Sequence, residues 1–479
     1  MAINKKKAIC LVVDQGFSVR YLLRSDIYKV LLNSGHPIVI LTPNADEDYF
    51  RREFESENVS VHRYRVDRYE IHYRKSLLHR FMRTVSLFVY PKGRQTNHAR
   101  FWYERFVDDL RGRGPAAIPL RVLFPFLIRC LCAWRLLRRA LRWTEFRWAP
   151  VEHGTLFDEY EVGLLVVTSL GNLSYDLFIM AEAKKRGVRI ASLILSWDNP
   201  TTKGSARLVP DFVVAWSETM KRELVDFHEI PEDRIHVGGV VQYDTYFRPE
   251  RLQEKGDLFE RFGLNPELRL IFFCLMSPTQ FPWNPRLIEM MGRLVEEGAF
   301  YSPVQVLFRL HPIYFRVKNG KSVFKEELDR IRSLEKAHAH LHFDFPGNLS
   351  RAISYDMPAE EAVKLGSTLR HADVLLCFFS SMMIEASIFD TPVVNVALYE
   401  KNRIPTRVIE RHEHLKRILR TGGVRIAYTE KELVHEINAY LQSPERDREG
   451  RRRIVEQEAG PNRGVAGRNI AEYLLKIVQ

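Results

Sequence analysis

Short apolar runs alternate with longer stretches whose apolar positions recur every three or four residues, along nearly the whole chain. Such alternation predicts β-strands joined by amphipathic helices, the pattern of α/β units with parallel sheets. The runs at 8–13 and 37–42 read as buried strands, with a helix over 21–33 and a stop at Gly35 between them. Further strands are expected at 162–169, 188–195, 211–217 and 234–239, with helices over 175–186 and 218–227. A second series follows, with strands at 268–277, 304–312, 340–345, 373–379 and 392–398. Its helices are expected over 285–297, 326–337, 359–369 and 382–389, and a tail from Glu430 adds three helical pieces.

The expected organisation is two doubly wound, Rossmann-like domains in tandem. The first spans 1–248, a charged connector 249–266, the second 267–460, and a last helix 461–479. Open parallel sheets bind ligands beyond the C-terminal ends of their strands, which puts the expected site in a cleft faced by both domains. At 479 residues the chain has room for two or three cores, and 46% hydrophobic with 28% charged residues excludes wholesale disorder. Cys10, Cys130, Cys132, Cys274 and Cys377 form no CxxC pair, so neither a disulfide framework nor a zinc site is expected. The basic start is followed by an apolar run that Asp14 interrupts, too short for a secretory segment, so a reducing, cytoplasmic setting is expected.

The formal charge of +12 is concentrated in one place. Residues 72–148 hold 17 Lys and Arg against 4 Asp and Glu, which leaves the rest of the chain close to neutral. Trp102, Trp134, Trp143 and Trp148 fall in the same segment, four of the seven tryptophans. Within it Leu127, Cys130, Leu131, Trp134, Leu137 and Leu141 share one side of an expected helix, with Arg135, Arg139 and Arg142 beside them. The uncharged run at 122–128 is far below the roughly 20 residues a membrane span requires. An insert that docks on an anionic membrane surface is the preferred reading, ahead of a solvated helical pair. Nucleic acid ranks last because no reading motif accompanies the charge.

Three polar constellations follow expected strands of the second domain. Arg309-Leu310-His311-Pro312 ends one strand, and an arginine with a histidine can hold phosphate. Ser380-Ser381 precede a helix, where hydroxyls and free N–H groups suit an anion, and Glu385 one turn later can accept from ribose hydroxyls. Ser277 opens a third polar loop. The plainer alternatives are a histidine packed at a strand end and an ordinary serine cap with a solvated Glu385, and the Ser277 loop is weak by itself. Together at neighbouring strand ends the three constellations favour a nucleotide monophosphate or diphosphate site.

These residues, with HADVLLCFFSSMMIEASIFDTPVVNV and a last helix after GPNRGVAGRNIAEYL, resemble the GT-B glycosyltransferase superfamily. The RLHP and SS elements are similar to those of bacterial CMP- or CDP-dependent transferases, namely the sialyl-, polysialyl- and Kdo-transferases and the CDP-glycerol glycerophosphotransferases. The resemblance implies that the second domain binds the nucleotide-activated donor and that the last helix crosses back to the first. His311, Ser380 and Ser381 would contact the donor phosphate and Glu385 the ribose. It further implies no cofactor or bound metal, and a cytidine-linked donor in preference to a UDP-linked one. The match is convincing only from Leu268 on, and no Gly-rich loop follows the first strand, where the sequence reads Val13-Asp14-Gln15-Gly16.

The acceptor side therefore rests on the residues themselves. Asp14 ends the first strand and is the expected general base, with Gln15 beside it; an N-cap is the plainer alternative. The loop Ser196–Gly204 is dense in polar groups. Trp197 is expected to stack on a sugar, Asn199 to bind hydroxyls and Lys203 to neutralise phosphate, with Asp198 as second candidate base. Gly238-Gly239 is expected to form a turn, with a smaller chance of a phosphate contact. The expected function is transfer of a sugar or glycerol phosphate to a surface-glycan or lipid-linked acceptor, with the enzyme peripheral to the inner membrane face. The rivals are a UDP-N-acetylhexosamine 2-epimerase, which shares the fold, and a non-catalytic scaffold, which would be indifferent to His311→Ala.

Overall fold

Seven parallel strands build one sheet and six build another. The computed structural model describes residues 6–114, 117–173, 175–318, 321–350, 353, 355–398 and 405–478; residues 115 and 116 of the insert and Gln479 lie outside these. The chain forms two units, Met1–Val241 with His412–His414 and Gly460–Gln479, and Gln242–Arg411 with Leu415–Ala459. The first unit therefore ends a few residues before the expected 248 and reclaims the last helix together with a short segment around Glu413.

The first sheet contains β1 (Ala8–Val12), β2 (Ile38–Thr42), β3 (Val59–Arg63), β4 (Val162–Val167), β5 (Arg189–Leu193), β6 (Phe212–Ala215) and β7 (Ile235–Val237). Their order is β3-β2-β1-β4-β5-β6-β7, so the direction of winding reverses between β1 and β4. β1, β2 and β4 are buried at every position, as strands covered on both faces must be. That continuity is why they are legible as apolar runs. β3 alternates buried and half-buried positions at the sheet edge, and the apolar-run criterion overlooks it.

The second sheet contains β8 (Arg269–Cys274), β9 (Val304–Arg309), β10 (Leu341–Asp344), β11 (Val374–Cys377), β12 (Val393–Val396) and β13 (Arg425–Ala427). The order β10-β9-β8-β11-β12-β13 repeats the topology of the first sheet, with the switch between β8 and β11. The three-residue edge strand β13 is likewise missed in the sequence. The tail helices are Glu430–Gln442, Arg448–Glu458 and Ala466–Ile477. Gly238-Gly239 allow the last helix and its preceding loop to approach closely. A Cβ on Gly239, at φ +95°, would lie 2.3 Å from the Pro461 carbonyl oxygen, and one on Gly238 would strike Ile470.

Two helices depart from expectation. The helix expected over 21–33 is a π-turn, Val19–Leu23, closed by the Arg24 N–H on the Val19 carbonyl at 3.0 Å, and then a separate helix Asp26–Leu32 that Ser25 caps. A π-turn disturbs the helical ladder, and such turns recur at functional sites. This one follows the β1 loop. In the insert, the single amphipathic helix is two: Ile118–Ala133 and Arg135–Arg147, interrupted at Trp134, whose φ and ψ are −115° and 112°. Phe124, Ile128 and Leu131 face inward onto Val85, Phe88 and Val89. Trp134 (62% exposed), Leu136 (76%) and Trp143 (63%) face outward, as do Val122, Leu123, Phe126 and Trp148. The apolar stripe expected on one side is therefore divided between a small core and solvent. Among the described residues, no helix is long and apolar enough to cross a membrane.

Candidate functional site

In the second unit, the ends of β9, β8 and β11 carry the His311, Ser277 and Ser380 loops side by side, around the switch point. The Ser277 hydroxyl bonds that of Thr279 at 2.7 Å, and its carbonyl accepts the N–H groups of Gln280 and Phe281, so the loop is a tight turn. Asn284 ties this loop to the next, donating to the Met276 carbonyl at 2.7 Å and to the Tyr314 hydroxyl at 2.8 Å. Tyr314 lies in the turn Pro312–Phe315 that His311 opens.

The His311 Nδ1 accepts the Ile313 N–H at 3.2 Å, which leaves the ring proton on Nε2. Burial lowers its pKa to about 4. At neutral pH His311 is thus a hydrogen-bond donor without charge, where the sequence had suggested a donor assisted by charge. Arg309 departs further from expectation. It points inward, ion-paired with Asp344, its cross-strand neighbour, and with Glu361 at 2.9 Å; Lys364 closes the group on the same two carboxylates at 2.7 and 2.6 Å. Two cations and two carboxylates balance, and the guanidinium is held by the strands, not offered to a ligand. Arg309→Ala strands a buried carboxylate pair with one cation, and we expect a loss of about 3–5 kcal/mol, read as a fall in the urea midpoint.

After β11 the backbone turns sharply at Phe379, whose φ of +32° a bulky residue rarely adopts. Asn395, fully buried, holds that turn by accepting the Phe379 N–H at 2.9 Å. Ser380 follows, its buried hydroxyl beside the Cys377 thiol and without a nitrogen or oxygen partner. Ser381 makes no capping bond; its hydroxyl donates to Glu385 Oε1 at 3.1 Å. Glu385, 5% exposed, accepts on its other oxygen from Tyr246 at 2.7 Å. Tyr246 escaped the sequence reading. It stands in a 3-10 turn before the connector, and Gly366 makes room for its ring.

In the first unit, Asp14 and Gln15 follow β1. Both backbone groups of Gln15 engage the Ser18 hydroxyl, at 3.2 and 2.6 Å, which fixes the turn. Asp176, the first residue of the helix after β4, is buried against the same switch point. Burial, and then the charge of Asp14, raise its pKa well above the carboxylate range, against a bond from Ser169. Asp176 is therefore held toward its protonated form. The folded chain keeps a proton that the unfolded chain releases, so stability falls as pH rises above the ordinary carboxylate range, by up to about 1.4 kcal/mol per pH unit. Asp176→Asn should flatten that slope, measured as urea midpoints from pH 4.5 to 7.

The loop after β5 is occupied differently from expectation. Trp197 is buried edge-on against His414 with ring centroids 4.7 Å apart, so its face is not open to a sugar. Asp198 accepts from Ser196 at 2.5 Å and Thr202 at 2.8 Å and pairs with Lys203 at 3.4 Å. Burial opposes its charge, but Lys203, His414 and the two hydroxyls prevail and hold its carboxyl well below the usual range. A carboxylate so stabilised is a weak base, which removes Asp198 as the second candidate. Lys203 is committed to it. Asn199 opens the short helix Asn199–Thr202 and is half-buried.

Three histidines complete this region. Thr201 Oγ1 and His414 Nδ1 lie 2.8 Å apart, and the rings of His98 and His412 meet edge-on at 4.9 Å. Glu413 accepts from the backbone and side chain of Asn97 at 2.8 and 2.9 Å. Burial above all lowers both His98 and His412 to a pKa of about 4, and His98 Nδ1 and His412 Nε2 remain without partners. The sequence signal was the pair of histidines around Glu413, whose distance along the chain from the β5 loop concealed it. Among the described residues, no three His, Cys, Asp or Glu side chains group as metal ligands.

No family model matches the sequence, and no curated protein does. Solved structures do match in fold. A glycosyltransferase from Rickettsia africae is 14% identical, with 99% of each chain covered and a TM-score of 0.50. A UDP-GlcNAc 2-epimerase from Neisseria meningitidis, bound to UDP-GlcNAc, is 11% identical over 98% of this chain and 100% of its own, with a TM-score of 0.53. A UDP-GlcNAc 2-epimerase from Methanocaldococcus jannaschii, in complex with UDP-GlcNAc and UDP, is 12% identical over 98% and 99%, with a TM-score of 0.50. The fold is the GT-B fold of two Rossmann-like domains.

Proposed function

We propose that this chain is a GT-B-type transferase that moves a sugar or glycerol phosphate from a nucleotide-activated donor to a surface-glycan or lipid-linked acceptor. The observation that carries the reading is the second unit's polar set, Ser277, His311, Ser380, Ser381 and Glu385, at and just beyond the ends of three adjacent strands at the switch point. In this reading Nε2–H of His311 and the Ser380 hydroxyl donate to the donor phosphate, and Glu385, already oriented by Tyr246 and Ser381, accepts from ribose hydroxyls. Neutral donors fixed in place stabilise charge on a leaving phosphate without rearranging as it develops. Asp14 takes the acceptor proton. Asp176 acts on Asp14 as a neutral carboxylic acid. The RLHP and SS elements favour a CMP- or CDP-linked donor.

The outward Trp134, Leu136 and Trp143, among basic side chains, support docking of the insert on an anionic membrane at its cytoplasmic face. A second reading, a UDP-N-acetylhexosamine 2-epimerase, draws on the fold shared with the Neisseria meningitidis enzyme. Incubation with labelled nucleotide-sugars separates the two. A transferase leaves C2 of the donor sugar unchanged and transfers the sugar only to an acceptor; inversion at C2 without acceptor would establish the epimerase.

A further inference from the structure

The helix Arg135–Arg147 sets Arg135, Arg139, Arg142 and Phe146 on one face, at intervals of three and four residues. That face walls a surface cavity of about 380 Å³, whose lining also includes Lys184, Arg207 and Arg234. The volume falls in the range of small-molecule sites. Six cations thus meet one lining carboxylate, Glu229.

Glu229 is already occupied. Arg138, buried behind the lining, donates to both its oxygens at 3.0 and 2.8 Å, and Arg142 and Arg135 approach at 3.2 and 3.4 Å. Arg207 is neutralised by the buried Glu145. Arg139, Lys184 and Arg234 have no carboxylate partner among the described residues; the last two reach only the carbonyls of Val209 and Pro210, at 3.3 and 3.5 Å. With Arg138, seven cations stand here against two carboxylates, Glu229 and Glu145, so the protein leaves positive charge undercompensated. A concave wall of one sign concentrates counter-ions, and a doubly charged anion offsets part of this excess.

One edge of the cavity is apolar. Phe146 and Trp143 line it, and Trp143 shares its exposed side of the helix with Leu136, two turns earlier. A free phosphate would leave that edge wet. We propose that the cavity binds the phosphate head of an anionic amphiphile, with phosphate against Arg139, Lys184 and Arg234 and the apolar chain along Trp143 and Leu136. The inference deepens the membrane-facing reading of the insert and rests on it for the path of the apolar chain; the cation-lined cavity does not.

Trp143 also supplies a fluorescence signal. We expect saturable quenching by dihexanoyl phosphatidic acid below its micellar concentration in about 0.15 M salt, and about ten-fold weaker binding of inorganic phosphate. Arg139→Glu with Arg234→Glu should weaken phosphatidate by about ten-fold or more, since each residue supplies a charge-assisted bond. Arg111→Glu with Arg113→Glu, an equal charge change elsewhere on the insert, should leave it unchanged. Should the first pair prevent folding, Arg139→Gln alone makes the comparison. Equal losses in both pairs, or phosphate as tight as phosphatidate, overturn the proposal. An isoprenyl monophosphate run in parallel identifies the source, since tighter binding of either amphiphile sustains the site and names bilayer lipid or lipid-linked substrate. Binding of soluble phosphatidate without binding to phosphatidylglycerol vesicles sustains the cavity while refuting membrane docking.

Discussion

Asp14→Asn is expected to lower turnover by about 10³-fold, within the range of a lost general base, while leaving nucleotide affinity unchanged. The change removes the charge at the end of β1 and keeps the shape. It also relieves Asp176, whose carboxyl is raised by burial first and by the charge of Asp14 second. The double variant with Asp176→Asn should therefore be no slower than Asp14→Asn alone, because Asp176 acts only through Asp14. Rates at saturating donor and acceptor, together with nucleotide titrations, check both statements. A variant that turns over at the wild-type rate removes Asp14 from the mechanism.

Glu385→Gln should weaken nucleotide binding by about 10- to 100-fold, the scale of a charged hydrogen bond lost in a buried site. Glu385 cannot be exchanged quietly, because Tyr246 and Ser381 donate to its two oxygens. A glutamine presents NH₂ to one of those donors. Tyr246→Phe separates orientation from contact: it leaves the carboxylate and removes one support, and a smaller loss, several-fold, is expected. Titration calorimetry of the three proteins with one nucleotide gives the comparison. Equal affinities would mean that Glu385 faces no ribose.

Much of the fold was legible because its strands are buried on both faces, so that β1, β2, β4 and β8 stand out as apolar runs. What escaped was short, alternating or at an edge, as with β3 and β13. The break at Trp134 escaped because helical periodicity carries straight across an exposed residue, and only the backbone angles show the turn. Among the site residues, sequence proximity misled at Arg309. It stands two residues from His311, yet its register opposite Asp344 turns it into a balanced ionic group. Trp197 and Asp198 misled for a related reason: their partner His414 comes from far along the chain, and it converts an exposed polar loop into a closed one. Asp176 gave little local signal, since an acidic residue at a helix start reads as a cap. Its burial beside Asp14 is a property of strand order.

The central claim is that the strand ends of the second unit hold a nucleotide. Calorimetric titration of the whole chain with CMP, CDP, UDP and GDP tests it most directly. The account predicts one saturable site per chain for at least one of them, weakened about ten-fold or more by His311→Ala and by Ser380→Ala as their hydrogen bonds to phosphate are lost. Absence of saturable binding for all four, or affinities that neither substitution changes, would contradict it.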